Sequence, residues 1–367
     1  MLDLFVVCAP GVERLLAQEL TGLGLEGLKS ETGGVSVRAS AKAVGTVALW
    51  SGLANHLRLR VGEPFEVRHF DKLVRKTAAL PWRDLLKPGT RVEVAAVCRK
   101  SRLYHSDAVA QRVTAGIEKA IGPAHENGPT LGVAVRILRD QCILSLDLAG
   151  DALHRRGWRQ QTAKAPLRED LARALLIASG WTPARPLFDP MMGAGTLVIE
   201  AATMARNIPP GIHRRFAFED TKLDAATKLA SQREAARAGI LERAPCPLLG
   251  RDRADGALQA SVGNAARAGV QGDVDLALAD LSEPWPALQR PIVVTNPPYG
   301  VRVGSVSNAH DTYGLLGRQV KERDWPLGVV VADRRFLRSL DAAVQPALKT
   351  DHGGIKVEFF ASPSDQA

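Results

Sequence analysis

The chain has 367 residues, with 48 Lys and Arg against 39 Asp and Glu, a net charge of +9 and 46% hydrophobic residues. Such a length exceeds one core and fits two or three domains, and the basic balance favours a polyanionic partner. Its four cysteines, Cys8, Cys98, Cys142 and Cys246, have no Cys-x-x-Cys spacing and no histidine cluster, so neither a metal site nor a disulfide framework is expected.

The start, Met1-Leu-Asp-Leu-Phe-Val-Val-Cys, carries an acid and no basic n-region, and no apolar run reaches membrane-spanning length. The expectation is a soluble cytoplasmic protein that binds no membrane. Phe5-Val-Val-Cys reads as a strand, Val12 to Leu23 as an amphipathic helix, Val35-Ser-Val-Arg as a strand and Ala41 to Leu53 as a helix, which together make a small α+β unit. Next, Pro64-Phe-Glu-Val-Arg and Arg91-Val-Glu-Val-Ala-Ala-Val bracket a helix, and a longer helix covers Ser106 to Ile121. Val133-Ala-Val-Arg-Ile-Leu and Cys142-Ile-Leu-Ser-Leu-Asp-Leu, separated by Arg139-Asp-Gln, form a hairpin.

Between the strand ending at Cys98 and the helix starting at Ser106 lie Arg99, Lys100, Ser101, Arg102 and His105. A charge run is commonly a solvated face. Here the cations flank a helix N-terminus, where phosphate binds readily, so they are candidate contacts to a nucleic-acid backbone. Arg155, Arg156 and Arg159, with Trp158 and Lys164, form a second candidate track within a charged connector from His154 to Lys164; Trp158 is expected to pack at a domain junction rather than to serve as a platform. Arg214 and Arg215, after Pro209-Pro-Gly-Ile-His, are candidates for the rim around a target base.

Pro186-Leu-Phe-Asp-Pro-Met-Met-Gly-Ala-Gly-Thr-Leu-Val-Ile-Glu-Ala-Ala reads as a short strand, a glycine turn and a helix. Gly193 and Gly195 permit close backbone approach to a ligand, and Asp189 sits at the strand's carboxyl end, where open α/β sheets bind ligands. A dinucleotide competes for any such turn. Against it, the third fingerprint position is Val198, and the strand-end acid Asp252 comes far beyond the usual spacing of about 20 residues. After Leu248-Leu-Gly-Arg-Asp come a helix with Asn264-Ala-Ala-Arg-Ala-Gly, the strand Val274-Asp-Leu-Ala-Leu-Ala and Asp280, which is either an acceptor for an adenine amine or a solvated turn residue.

Following the apolar run Pro291-Ile-Val-Val, Thr295-Asn-Pro-Pro-Tyr-Gly opens into a rigid polar turn. Asn296 offers a side-chain carbonyl, Pro297 a backbone carbonyl on a residue without an N–H, and Tyr299 a ring, a set suited to a planar exocyclic amine. Such an amine is a poor nucleophile and must be aimed at a strong methyl donor. The two motifs together point to N-methyl transfer from S-adenosylmethionine. Candidate cofactor residues are Asp189, Met191, Gly193, Gly195, Thr196, Asp252, Arg253, Asp280 and Asn296; Asn296, Pro297 and Tyr299 are the candidate catalytic residues.

These motifs, with Gly11-Val-Glu-Arg-Leu-Leu-Ala-Gln-Glu-Leu, Cys98-Arg-Lys-Ser-Arg-Leu-Tyr-His-Ser, Leu148-Ala-Gly-Asp-Ala-Leu-His-Arg-Arg-Gly-Trp-Arg and Ala165-Pro-Leu-Arg-Glu-Asp-Leu-Ala, resemble the THUMP-containing RNA guanosine N2-methyltransferases over nearly the whole chain. Within that family the likeness is greatest to the N-terminal half of the bacterial 23S rRNA enzymes, and next to the tRNA enzymes. The sequence ends where the fusion known in some bacteria would continue into another methyltransferase. The resemblance implies an α/β chain: a small ferredoxin-like unit (1–58), a THUMP RNA-binding domain (59–153), a linker (154–164) and a class I, Rossmann-like methyltransferase domain (165–367). It implies that Asn296 and Pro297 hold the guanine amine while Tyr299 packs on the base of 23S rRNA, or of tRNA, with a monomer at work. Met192 stands where the family pattern has Cys and Ala194 where it has Ser, removing a hydroxyl contact to the cofactor carboxylate. Adenine, cytosine and glutamine amides present a similar amine, and an RNA-binding assembly factor with a vestigial pocket is the non-enzymatic alternative.

Overall fold

The computed structural model describes residues 1–161, 167–298 and 306–363, with side chains of 306–308 excepted. The chain divides into two compact units, one of residues 1–8, 17–153 and 214–233, the other of residues 9–16, 154–213 and 234–367.

In the first unit the elements are β1 (Leu2–Val7), α1 (Glu13–Gly22, its first turn grouped with the second unit), β2 (Lys29–Glu31), β3 (Gly34–Ala39), α2 (Ala41–Trp50), β4 (His56–Arg60), β5 (Phe65–Glu66), α3 (Phe70–Ala78), α4 (Trp82–Leu85), β6 (Arg91–Arg99), α5 (Ser106–Ile121), β7 (Thr130–Leu138) and β8 (Gln141–Asp147). Among the described residues these strands make one sheet in the order β2-β3-β1-β4-β8-β7-β6, with β5 pairing β8. The N-terminal α+β unit and the following region therefore share a sheet, joined where Arg58, Leu59 and Arg60 of β4 pair with β8. The β1 alternation explains the burial: Leu4 and Val6 are buried while their neighbours are half-exposed. Helix α2 stops at Ser51 rather than continuing to Leu53 because the Glu19 carboxylate takes the Ser51 hydroxyl and the Gly52 N–H. At the hairpin β7–β8, Arg139 and Asp140 both adopt positive φ, 51° and 63°, the left-handed geometry that suits the twist of a tight hairpin.

The second unit carries α6 (Glu169–Ala178), β9 (Leu187–Asp189), α7 (Thr196–Ala205), and, beyond the segment 214–233 with its short α8 (Asp224–Thr227), the second half of α9 (Leu229–Ala238, its first half grouped with the first unit), β10 (Leu248–Asp252), α10 (Asp255–Arg267), β11 (Val274–Leu278), β12 (Ile292–Thr295), α11 (Val306–Arg323), β13 (Leu327–Val331), α12 (Phe336–Leu340), β14 (Gln345–His352) and β15 (Ile355–Ala361). Its sheet runs β11-β10-β9-β12-β13-β15-β14. The first five strands are parallel and β15 is antiparallel to both its neighbours. Parallel strands need crossovers and covered faces, and β12 and β13 are accordingly buried at every position. Strand β9 starts the sheet; the chain then proceeds to β10 and β11 on one side and returns to β12 on the other. That reversal leaves a crevice at the carboxyl ends of β9 and β12, where open α/β sheets bind ligands. Beneath it Phe188, Leu249, Trp285, Val293 and Tyr313 belong to one apolar core, with Phe188 and Trp285 edge to face at 5.0 Å.

The segment expected to be a linker is part of this unit as far as residue 161. Trp158 is buried and its carbonyl accepts from Arg267 at 2.8 Å. Among the described residues no helix is long and apolar enough to cross a membrane.

Candidate active site

Asp189 closes β9 and is fully buried. Its Oδ1 accepts from the Thr295 hydroxyl at 2.7 Å and from the Met191 N–H at 3.1 Å. Thr295 is the last residue of β12, so the carboxylate ties together the two strand ends that flank the crevice. Burial pushes the Asp189 carboxyl up to about 7, and Asp252 adds to the rise, while the two hydrogen bonds oppose it. No Lys, Arg or His forms an ion pair with Asp189 among the described residues.

The turn after Asp189 is fixed from several sides. Gly193 and Gly195 adopt φ of 54° and 79°, which side chains other than glycine's rarely tolerate. A Cβ on Gly195 would meet Ser261 Cβ at 2.9 Å as well. Asp252, at the end of β10, accepts the Gly193 N–H at 2.9 Å through Oδ2 and the Ala254 N–H at 3.0 Å through Oδ1. Thr196, buried, then starts α7 with its first N–H groups toward the turn. Met191 is half-buried beside it and Arg253 is exposed.

Asp280 lies past β11 in a turn of its own, where Oδ1 accepts the Ser282 hydroxyl at 2.6 Å and its N–H at 3.0 Å; these bonds hold its carboxyl below the usual range. It borders a small cleft lined also by Phe188, Pro190, Leu281 and Trp285 and by the charged Arg251 and Glu283. Asn296 is half-buried and Pro297 buried directly after β12. Tyr299 and Lys164 lie outside the described residues.

The second candidate RNA track is corrected in part. Arg156 is only 5% exposed and its Nε lies 3.4 Å from Glu200, a carboxylate that also accepts from Arg173 at 2.9 Å. A guanidinium buried on a carboxylate is unavailable to phosphate, so Arg156 is a structural residue. Arg159 likewise braces Glu169 at 2.9 Å and the Leu167 carbonyl at 2.8 Å. Arg214 donates to the main-chain carbonyls of Asp151 and Ala152 and lies over the Phe216 ring, so its fork is taken up within the first unit. Arg155 remains exposed. In the first unit Arg99, Lys100, Arg102 and His105 are all exposed, and Ser101 is half-buried.

Two contributors escape a motif reading. Thr295 looks like any strand residue, and only the neighbouring strand reveals its bond. Asn264, fully buried on α10, donates to the carbonyls of Ala194 and Gln161, each at 3.0 Å, and so holds the glycine turn. A signal for it existed: Ala257, Ala260, Ser261, Asn264 and Ala265 fall on one helical stripe, where a polar side chain is out of place unless bonded.

The strand order and the acid-and-glycine crevice at its reversal define the class I, Rossmann-like methyltransferase fold. Residues 156–356 match the model described as the RMKL-like methyltransferase domain, residues 3–57 the RlmL ferredoxin-like domain and residues 67–147 the THUMP domain. The chain belongs to this RMKL-like methyltransferase family. It is 31% identical, over 98% of its length, to the ribosomal RNA large subunit methyltransferase K/L of Saccharophagus degradans, and 36% identical, over 87%, to that of Chromohalobacter salexigens. It spans 50% and 46% of those relatives, about half their length. The solved structure of SMU.472, a candidate methyltransferase complexed with SAH, superposes with a TM-score of 0.93 at 26% identity, covering 100% of this chain and 99% of that one.

Proposed function

We propose that the chain methylates the exocyclic N2 amine of a guanosine in RNA, with S-adenosylmethionine as donor and 23S rRNA as substrate, tRNA being the alternative. The observation that carries this reading is the joining of Asp189 and Thr295 across the crevice, because it brings a buried carboxylate to the strand end that leads directly into Asn296-Pro297. The names of the relatives support the choice of ribosomal RNA, and the THUMP match supports RNA as the polymer. The reaction's setting would be the cytoplasm.

When bound, S-adenosylmethionine supplies an electrophilic methyl on a sulfonium. Asp189, ionised, would accept the ammonium of its amino acid end; the first N–H groups of α7, from Thr196, would receive its carboxylate, with Gly193 and Gly195 leaving room for its close approach. Asp252 would take ribose hydroxyls, and Asp280, Arg253 and Met191 would border the adenine. The target guanine must leave its stack to reach the crevice. Asn296 Oδ1 and the Pro297 carbonyl accept the two amine hydrogens, which holds the nitrogen in line, and Tyr299 stacks on the base. Attack on the methyl carbon would form the N–C bond as the C–S bond breaks, its electron pair leaving with sulfur as the neutral thioether; the methylated nitrogen, then acidic, would give its proton to water, so a strong base is unnecessary.

Asn296→Ala tests this assignment. Loss of an aligning acceptor is expected to lower kcat by about 100-fold or more, while calorimetry finds the affinity for S-adenosylmethionine within about threefold of wild type, a change under about 1 kcal/mol. Unchanged turnover in Asn296→Ala would remove Asn296 from the mechanism.

A further inference from the structure

We propose that the loop between β6 and α5 is a binding site for an unpaired RNA base, with Tyr104 as the stacking platform; this rests on the reading of the substrate as RNA. Tyr104 is 67% exposed, one of few large apolar side chains so placed among the described residues. Its ring lies against that of His105, with centroids 4.1 Å apart and planes tilted by 40°. The pair makes a broadened aromatic surface open to solvent.

The ring is held on a rigid base. Leu103, next in the chain, is buried. Lys100 takes a φ of 50°, strained for a residue with a Cβ, and the bend is held by hydrogen bonds to the β7–β8 turn. Ser101 Oγ donates to the Arg99 carbonyl at 2.8 Å and accepts the Asp140 N–H at 3.0 Å. Asp140 Oδ1 accepts the Arg102 N–H at 2.8 Å, and the Arg139 N–H donates to Arg99 at 3.2 Å. A preformed platform loses little entropy on binding.

Charge selects the occupant. Arg99, Lys100 and Arg102 have exposed side chains, and none forms an ion pair among the described residues. The acids nearby are Asp107, in the first turn of α5, and Asp140, whose Oδ2 pairs with Arg68 at 3.1 Å. Uncompensated cations around a flat ring fit a base with its flanking phosphates. Within a duplex both faces of a base are covered by its neighbours, so the ring favours an unpaired nucleotide.

The test measures binding of the full chain to a short single-stranded RNA, with an intact or an abasic central position, and to a duplex RNA. Tyr104→Ala is expected to weaken single-strand binding about 5- to 150-fold, the range spanned by base stacking on an aromatic side chain. Tyr104→Phe should retain it. The abasic strand should bind wild type weakly and Tyr104→Ala no worse than the intact strand does, while duplex RNA and S-adenosylmethionine bind both proteins alike. Equal single-strand affinity in wild type and Tyr104→Ala, or an equal loss for duplex and single strand, would overturn the proposal. If Tyr104-dependent binding persists while wild type methylates no RNA, the methyl-transfer reading falls and this one stands; methylation with Tyr104-independent binding gives the reverse.

Discussion

At the scale of single residues, Asp189 is the group whose chemistry is set most strongly by the fold. Its folded-state carboxyl is pushed to about 7 from an ordinary 3.8. Between those values the folded chain holds a proton that the unfolded chain has lost, so the Asp189 contribution to stability is fully present below the lower value and is lost as pH rises through about 7. An ammonium in the crevice favours the ionised form. Affinity for S-adenosylmethionine should therefore fall as pH drops below about 7, approaching tenfold per unit, with proton release on binding in calorimetry near that pH. It should also decline above about 8, where an α-amino group loses its own proton. A flat profile would contradict the pairing. Asp189→Asn should bind the cofactor poorly and yet melt at a higher temperature than cofactor-free wild type at alkaline pH, because it removes the uncompensated charge.

At the scale of elements, helix α7 is the part on which the crevice depends, since it begins at the glycine turn. Glu200 anchors it, buried and accepting from Arg156 and Arg173. Removing one partner from a buried charge cluster leaves the others uncompensated, and Glu200→Ala is expected to cost about 3–5 kcal/mol in denaturant unfolding. Glu200→Gln should cost less, because it keeps acceptors for the guanidinium groups. A Glu200→Ala protein as stable as wild type would show that the arginines find other partners. This cluster also explains a sequence reading that failed. A run of arginines near a domain boundary has the composition of a nucleic-acid track, yet two of them, Arg156 and Arg159, are paired with Glu200 on α7 and with Glu169 at the start of α6. Charge in a sequence shows supply, and only the fold shows which charges remain unspent.

At the scale of the whole molecule, the two strand-and-turn segments around Asp189 and Thr295 were the legible part of the fold, since a short apolar run meets a glycine or proline turn in each. The hairpin β7–β8 and helix α5 were legible for a similar reason: their periodicity is long and unbroken. Strand β4 was not, although Leu57 and Leu59 alternate correctly, because Arg58 and Arg60 give it the look of a solvated loop. Its place at the centre of a sheet comes from pairing with β1 and the distant β8. Asn264 and Thr295 were hidden by the same kind of long-range bonding. The loop carrying Arg99 and Tyr104 was visible as charge, while its rigidity depends on Asp140 across the turn.

The most direct test of the central claim is to incubate the chain with tritiated S-adenosylmethionine and total RNA from a strain lacking its gene, separate 23S rRNA from tRNA, and identify the labelled nucleoside by chromatography. The expected result is label in N2-methylguanosine of 23S rRNA. Label confined to tRNA would keep the chemistry and overturn the substrate, and label in another nucleoside, or in no RNA at all, would contradict the account.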